Sequence, residues 1–191
     1  MKRFGLLLLG LLIFGACGTA MPESPMAASL VDVVAEHLTQ TTPIKDGSFT
    51  TKYDESLKNR TKNVEIAART VNSTVVGSGE VFSFNEIIGK ATWAKGYRPA
   101  KIFVKGKEEQ GMGGGICQLS STLYNAADFA GMEIIERHPH SKRVFYVEEG
   151  RDAATAYGGV DLKFRNPLRH PVMVVARAEK GELTVAIEAI K

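Results

Sequence analysis

The sequence predicts an α+β fold in which antiparallel strands pack on one central helix that begins at Cys117. Four glycines in the five positions 111–115 cannot continue a helix or a strand, so they mark a loop. Apolar residues then recur at helical spacing up to a glycine stop, and these are Leu119, Leu123, Ala126, Ala130 and Gly131. Elsewhere short apolar–polar alternations, clearest over 160–165, predict half-buried strands.

Before the glycine loop, the same patterns predict two helices and two strands. A helix over 27–40 ends at Thr41-Thr42-Pro43, and a second helix lies over 64–71. Strands are predicted over 48–53 and 81–84, with 54–63 as a polar connection between the first strand and the second helix. Residues 98–110 form a hairpin that turns at Gly106-Lys107.

After the helix, strands are predicted over 132–136, 144–147 and 160–165. Residues 150–152 form a turn between the last two of these. A closing hairpin joins 172–178 to 183–190 around Lys180-Gly181, a two-residue turn of the kind that connects antiparallel strands.

The amino terminus resembles a bacterial lipoprotein signal. Two basic residues, Lys2 and Arg3, precede eleven apolar residues, which are too few to span a bilayer comfortably. Small residues then lead to Cys17, the residue that a lipobox would lipidate. We predict a signal peptide over 1–16, a lipidated cysteine with tether and helix over 17–46, and one domain over 47–191. An ordinary cleaved signal at the same place is the alternative.

The net charge and the predicted export restrict the possible binding partners. The formal net charge of +3 falls to about +1 once Lys2 and Arg3 are removed, so the sequence gives no electrostatic case for nucleic acid. The expected membrane contact is the lipid on Cys17. The sequence does not predict an oligomeric state. If Cys17 carries lipid, Cys117 has no partner within the chain, and an unpaired cysteine outside the cytoplasm is expected to be buried or used.

Cys117 has the setting of a nucleophile. It lies in the first helical turn, where the helix dipole favours a thiolate, and on the helical wheel it shares a polar face with Ser121. The glycines before it allow backbone N–H groups to approach a ligand and stabilise an oxyanion. The alternative is that Cys117 is a small buried apolar residue.

His138 and His140 flank Pro139 and are predicted to be extended, so that both side chains point into one site. A His-x-His pair also suggests a metal site, but the chain adds only two further histidines and no histidine–glutamate helix motif, so we predict no metal and no cofactor. Arg151 and Asp152 could orient a histidine or hold a substrate carboxylate; a solvated surface turn is the alternative.

Several blocks in order resemble the VanW family, a group named from vancomycin-resistance gene clusters. They are residues 79–86, 113–126, 136–141, 150–153, 156–159 and 161–166, and the similarity covers about residues 47–190. The family's cysteine and histidine blocks have been interpreted as an L,D-transpeptidase-type site acting on peptidoglycan stem peptides.

That resemblance implies a role for each matched residue. Cys117 would attack the stem peptide, His140 (or, less favoured, His138) would be the general base, and Asp152 would orient the imidazole. The residues implied in oxyanion or substrate binding are Gly113, Gly114, Gly115, Ile116, Gln118, Ser121, Arg151 and Tyr157. Two alternatives stay open: a hydrolase with the same site, and a non-catalytic envelope module that binds wall peptides or antibiotic.

Overall fold

A computed structural model describes residues 41–104 and 107–190. The predicted signal peptide, Cys17, the tether, the 27–40 helix and part of the Gly106-Lys107 turn lie outside the described residues. Nine strands and three helices make up the described part of the chain. In chain order they are β1 (Thr41–Lys52), α1 (Lys58–Val71), β2 (Thr74–Val76), β3 (Val81–Ser83), α2 (Phe84–Ile88), β4 (Pro99–Val104), β5 (Lys107–Met112), α3 (Ile116–Phe129), β6 (Glu133–Glu136), β7 (Lys163–Arg165), β8 (Val172–Glu179) and β9 (Glu182–Ile190).

The strands form three antiparallel sheets. The largest has the order β1-β9-β8-β2, a smaller one has the order β3-β7-β6, and β4 pairs with β5 as a hairpin. The β8–β9 hairpin turns at Lys180 and Gly181, which both have positive φ angles of 51° and 74°. This is the backbone that a two-residue hairpin turn requires, and it confirms the predicted closing hairpin.

The two long helices pack against the largest sheet and against each other. Helix α3 contacts β1, β9 and β6, whereas α1 contacts β8 and β4. Leu119, Leu123 and Ala126 of α3 are completely buried and join one continuous apolar core with strand residues such as Leu183 and Val185. The mixed α+β architecture is therefore confirmed, and the apolar stripe of α3 faces the sheet as its spacing predicts.

The structure adds detail to the predicted architecture, since two 14-residue helices, α1 and α3, and three antiparallel sheets are present in the described residues. Helix α1 starts at Lys58, so the predicted polar connection over 54–63 is wrong in its second half. Its polar residue Asn63 is fully buried because its side chain bonds to backbone groups of Arg98 and Gly114. Polarity there reflects a buried hydrogen-bonding role instead of a loop.

The remaining differences concern strand bounds. The predicted strand over 144–147 is absent: Val144 is buried, Phe145 is 94% exposed, and no ladder forms there within the described chain. The 160–165 strand is shortened to Lys163–Arg165, and Phe84 begins α2 because the Ser83 hydroxyl accepts the Glu86 amide as a helix cap. Over the described residues, the structure contains no helix with the length and apolar character needed to cross a bilayer.

Candidate active site

The glycine loop brings the chain sharply into α3. Gly113 and Gly115 have φ angles of 78° and 111°, which side chains rarely tolerate. A Cβ on Gly114 would lie 2.5 Å from the carbonyl oxygen of Lys101, so β4 passes too close for any larger residue. The loop is held on its other side by Asn63, whose amide donates to the carbonyls of Arg98 and Gly114 at 2.9 Å.

The loop leaves amide groups available at the start of α3. The Ile116 and Gln118 amides bond to the carbonyls of Gly113 and Gly115 at 3.0 Å. The amides of Gly114, Gly115 and Cys117 donate to no acceptor in the part of the chain that the structure describes. Unpaired N–H groups at a helix start are suited to bind an anion or a developing oxyanion.

Replacing Gly115 with alanine should damage this loop. The left-handed backbone costs about 1–2 kcal/mol for a non-glycine residue, and the new Cβ would lie 3.0 Å from Cγ of Arg60. Gly131 is the matched control, because it has φ 76° and a Cβ added there would meet no atom within 4 Å. We expect both alanine variants to lose stability in urea unfolding, but only Gly115→Ala to slow alkylation of Cys117. Equal alkylation rates would contradict this account of the loop.

Cys117 is half-buried and faces a cleft of about 1050 Å³. Its Sγ lies 3.4 Å from the carbonyl oxygen of Thr155 and 3.9 Å from the Thr155 hydroxyl. His140 lines the same cleft and lies close enough to Cys117 to lower the pKa of the thiol. The sulfur is therefore accessible to a ligand in the cleft and lies near an imidazole.

His140 is held by Asp152. Oδ2 of the buried Asp152 carboxylate accepts two hydrogen bonds from His140, one from the ring Nδ1 and one from the backbone N–H, both at 2.6 Å. Its other oxygen accepts Arg137 at 3.0 Å, and Arg137 also donates to the Asp152 carbonyl at 2.6 Å. Since Nδ1 is occupied, Nε2 is the nitrogen left to face Cys117, and the ring orientation is fixed.

Electrostatics favour a thiolate–imidazolium pair. Burial raises the pKa of the Cys117 thiol, but hydrogen bonds from His140 and Thr155 outweigh it, so the pKa is lowered from its ordinary value. Burial lowers the pKa of His140, but its bonds to Cys117 and Asp152 outweigh this effect, and the pKa is raised. Burial also raises the pKa of Asp152, but His140 and Arg137 outweigh this effect and hold the pKa below its usual value. The positive imidazolium therefore stabilises both negative groups, the thiolate and the carboxylate.

His138 lies apart from this group, which corrects the prediction that both histidines point into one site. Its Nε2 lies 3.0 Å from Glu136, and Glu136 also binds Lys163 at 2.9 Å. His138 does not line the cleft, and its backbone forms an isolated bridge with Ala154. Alternation fails here because the His140 amide turns to the Asp152 carboxylate instead of continuing a strand.

Gln118 lines the cleft, whereas Ser121 does not, and both side chains form hydrogen bonds within the fold. The buried Gln118 amide donates to Thr51 and to the Lys52 carbonyl, both at 2.9 Å, which uses both of its hydrogens. The buried Ser121 hydroxyl donates to the Cys117 carbonyl at 2.8 Å and accepts the Ala153 amide at 2.9 Å. Ser121 thus clamps the segment that carries Asp152 onto α3.

Arg151 is also outside the site. Its guanidinium binds Asn125 at 2.6 Å and Asp128 at 2.8 Å on the helix flank, and it stacks on Tyr124 and Phe129. It does not line the cleft. Of the predicted binding residues, those that line the cleft are Gly113, Gly114, Gly115, Ile116, Gln118 and Tyr157. The Tyr157 side chain is exposed at the cleft margin.

A family comparison decides what this chain is related to. The profile described as "VanW like protein" matches residues 59–188, more than half of the chain. The chain belongs to the VanW family. The matched range starts near the beginning of α1 and includes Cys117, His140 and Asp152, so every part of the cysteine–histidine–aspartate arrangement lies within the VanW domain.

Two curated relatives extend the comparison. The chain is 41% identical over 141 residues to the uncharacterized protein YoaR of Bacillus subtilis, covering 74% of this chain and 46% of that protein. It is 32% identical over 114 residues to the vancomycin B-type resistance protein VanW of Enterococcus faecalis, covering 57% of this chain and 42% of that protein. The chain thus spans less than half the length of either relative. No solved structure matches.

Four residues of this VanW site were not predicted from the sequence. Arg60, Tyr146 and Thr155 line the cleft around Cys117, and Arg137 lies behind Asp152. Burial and the nearby Cys117 raise the pKa of Tyr146. Arg137 and Thr155 adjoin the blocks that singled out His138 and Asp152, so proximity in sequence was the available signal. Arg60 carried no signal, because it lies 57 positions before the cysteine.

Proposed function

We propose that this VanW-family protein is a cysteine acyltransferase that acts on peptide stems of the bacterial cell wall, in the manner of an L,D-transpeptidase. The observation that carries the proposal is that Cys117 and His140 line one cleft, with Nδ1 of His140 held by the buried Asp152 carboxylate. The same arrangement, in which a carboxylate orients the base that activates a nucleophile, supports acyl transfer on unrelated folds.

The acylation step uses the ionised pair. The Cys117 thiolate attacks the carbonyl carbon of the scissile amide, and a carbon–sulfur bond forms. The amides of Gly114, Gly115 and Cys117 receive the developing oxyanion. The His140 imidazolium then gives its Nε2 proton to the departing amine as the carbon–nitrogen bond breaks, which leaves a thioester on Cys117.

The second step releases the enzyme. An amine from another stem approaches the thioester, and neutral His140 removes its proton while the new amide bond forms and the thiolate leaves. Asp152 stabilises the imidazolium in both steps because its Oδ2 stays bonded to Nδ1. Water in place of the amine would give a shortened stem, which is the hydrolase outcome.

The surroundings support a peptide substrate. The cleft of about 1050 Å³ runs between the glycine loop, the first turns of α1 and the β4–β5 hairpin, and it exceeds the usual size of a small-molecule pocket. The similarity to the vancomycin B-type resistance protein of Enterococcus faecalis supports a cell-wall substrate.

The test is incubation of the purified protein with tetrapeptide and pentapeptide muropeptides, followed by mass spectrometry of the products. We expect new cross-linked dimers together with release of a single C-terminal amino acid. Shortened stems without dimers would contradict a transferase and favour the hydrolase. Absence of any turnover, with the stems bound but intact, would contradict both and favour a non-catalytic wall-binding protein.

We also propose export and attachment to the membrane by lipid on Cys17, with residues 1–16 as signal and 17–46 as the anchored linker to the VanW domain. The support is the basic start, the short apolar run and the small residues before Cys17. Fractionation of cells tests this proposal: Cys17→Ser should move the protein from the membrane to the soluble or secreted fraction. An unchanged membrane fraction would contradict a lipid anchor.

A further inference from the structure

Arg60 lies in the first turn of α1 and lines the cleft beside Cys117. It is half-buried, and one guanidinium nitrogen donates to Oε1 of Gln118 at 2.7 Å. Gln118 is fixed by Thr51 and Lys52, so this bond holds the guanidinium in one place next to the nucleophile. The position of Arg60 is therefore built by the fold and does not depend on a flexible side chain alone.

Arg60 has no carboxylate partner in the described chain, unlike Arg137 and Arg151, which are also partly buried. Arg137 pairs with Asp152 and Arg151 pairs with Asp128. Within residues 41–104 and 107–190, no carboxylate forms an ion pair with Arg60. Of the groups that act on the pKa of Arg60, the Tyr146 phenol is uncharged near neutral pH because its own pKa is raised, which leaves the exposed Asp54 carboxylate and the Cys117 sulfur. A half-desolvated cation in a cleft without a counter-ion is a site for an anionic ligand.

The length of the reacting group fits this cation. In a peptide cleaved one residue before its end, the terminal carboxylate lies only a few bonds from the scissile carbonyl. With that carbonyl on Cys117, the carboxylate lies within a few bonds of the sulfur, in the cleft that Arg60 also lines. A guanidinium binds a carboxylate through two parallel hydrogen bonds, and Gln118 uses only one of its five N–H groups.

We infer that Arg60 binds the free α-carboxylate of the substrate's C-terminal residue, so that the enzyme removes one terminal amino acid and does not cut within longer peptides. This inference rests on the proposed function and deepens it by naming the substrate class. During acylation the carbon–sulfur bond forms, the terminal carbon–nitrogen bond breaks, and the leaving amino acid takes its proton from His140. Arg60 holds that amino acid by its carboxylate until it departs.

Two small alkylating reagents test the anion site without a peptide. Iodoacetate and iodoacetamide react with the same thiolate and differ in one negative charge. The measurement is the ratio of their rates at Cys117, divided by the same ratio for free N-acetylcysteine in the same low-salt buffer. We expect this normalised ratio of iodoacetate to iodoacetamide rates to be about ten or more in the native protein, since a cation beside the sulfur concentrates the iodoacetate anion.

Substitutions assign the effect to Arg60. Arg60→Met should bring the normalised ratio to about one, and Arg60→Lys, which keeps the charge but loses the fork, should give an intermediate value. Arg69→Met is the matched control, because Arg69 is an exposed cation on the last turn of the same helix. It should leave the ratio unchanged. Thermal unfolding of each variant shows that the fold is kept, and Arg60→Lys decides the matter if Arg60→Met does not fold.

The outcomes separate the two proposals. A reactive Cys117 with a normalised ratio near one in the native protein overturns the carboxylate site and leaves the nucleophile standing. A ratio that Arg60→Met and Arg60→Lys leave unchanged also overturns it. A Cys117 that neither reagent modifies overturns the proposed function, and the inference with it. With stem peptides, loss of the preference for a free over an amidated terminus in Arg60→Lys would support the assignment.

Discussion

Cys117→Ser is expected to lower acyl transfer from muropeptides by about 10³-fold or more. The serine hydroxyl has a far higher pKa than a thiol, so the His140 that ionises Cys117 cannot ionise the oxygen in its place. The fold should be unaffected, since Cys117 contributes only a partly exposed side chain at the cleft. The rates of cross-link formation and of terminal amino acid release measure the effect.

Ser120→Ala is a useful control for Cys117→Ser. Ser120 lies on the same helical end but bonds to the Ala153 carbonyl at 2.6 Å inside the fold, so its loss should reduce stability more than it reduces turnover per folded molecule. A Cys117→Ser protein that keeps most of its turnover would exclude covalent catalysis through this sulfur.

Asp152→Asn is expected to lower turnover by roughly 10²–10⁴-fold, by the precedent of carboxylates that orient a catalytic imidazole. An amide cannot stabilise the imidazolium, so the pKa of His140 falls and the thiolate loses its partner. Arg137 also loses its ion pair with Asp152. Steady-state kinetics should show the loss mainly in kcat, and proton NMR of the His140 ring should show the lowered pKa.

Asp128→Asn is the matched control for Asp152→Asn. Asp128 pairs with Arg151 on the exposed flank of α3, outside the cleft, so the same change there should leave turnover and the His140 ring unchanged. If Asp152→Asn keeps the pKa of His140 raised, then Asp152 only holds the backbone, and its orienting role would be contradicted.

The sequence was sufficient to predict the features that depend on local spacing. Helix α3 follows from the apolar repeat of Leu119, Leu123 and Ala126, and its start follows from the glycines whose positive φ angles the structure shows. Cys117 is at the first turn for the same local reason. The Lys180-Gly181 pair between the segments 172–178 and 183–190 also located β8 and β9, because a two-residue turn joins neighbouring antiparallel strands.

Features that depend on distant partners could not be predicted. The sequence spacing makes His138 and His140 equivalent. They differ in their partners, since His140 binds Asp152 whereas His138 binds Glu136. Gln118 and Ser121 are polar residues beside a nucleophile, yet their partners on β1 and at Ala153 use their hydrogen bonds. Arg60 enters the cleft because α1 packs beside the start of α3, a tertiary contact without a sequence pattern.

The pH dependence of Cys117 alkylation by iodoacetamide tests the central claim most directly. The pKa of Cys117 is lowered and the pKa of His140 is raised, so the thiolate forms at a lower pH than in a free thiol, whose pKa is about 8.5. The imidazole likewise stays protonated at a higher pH than a free one, whose pKa is about 6.5. The native protein should therefore stay reactive where a free thiol is largely protonated, and His140→Ala should move the midpoint back up. A native midpoint at or above that of a free thiol, unchanged by His140→Ala, would contradict the account.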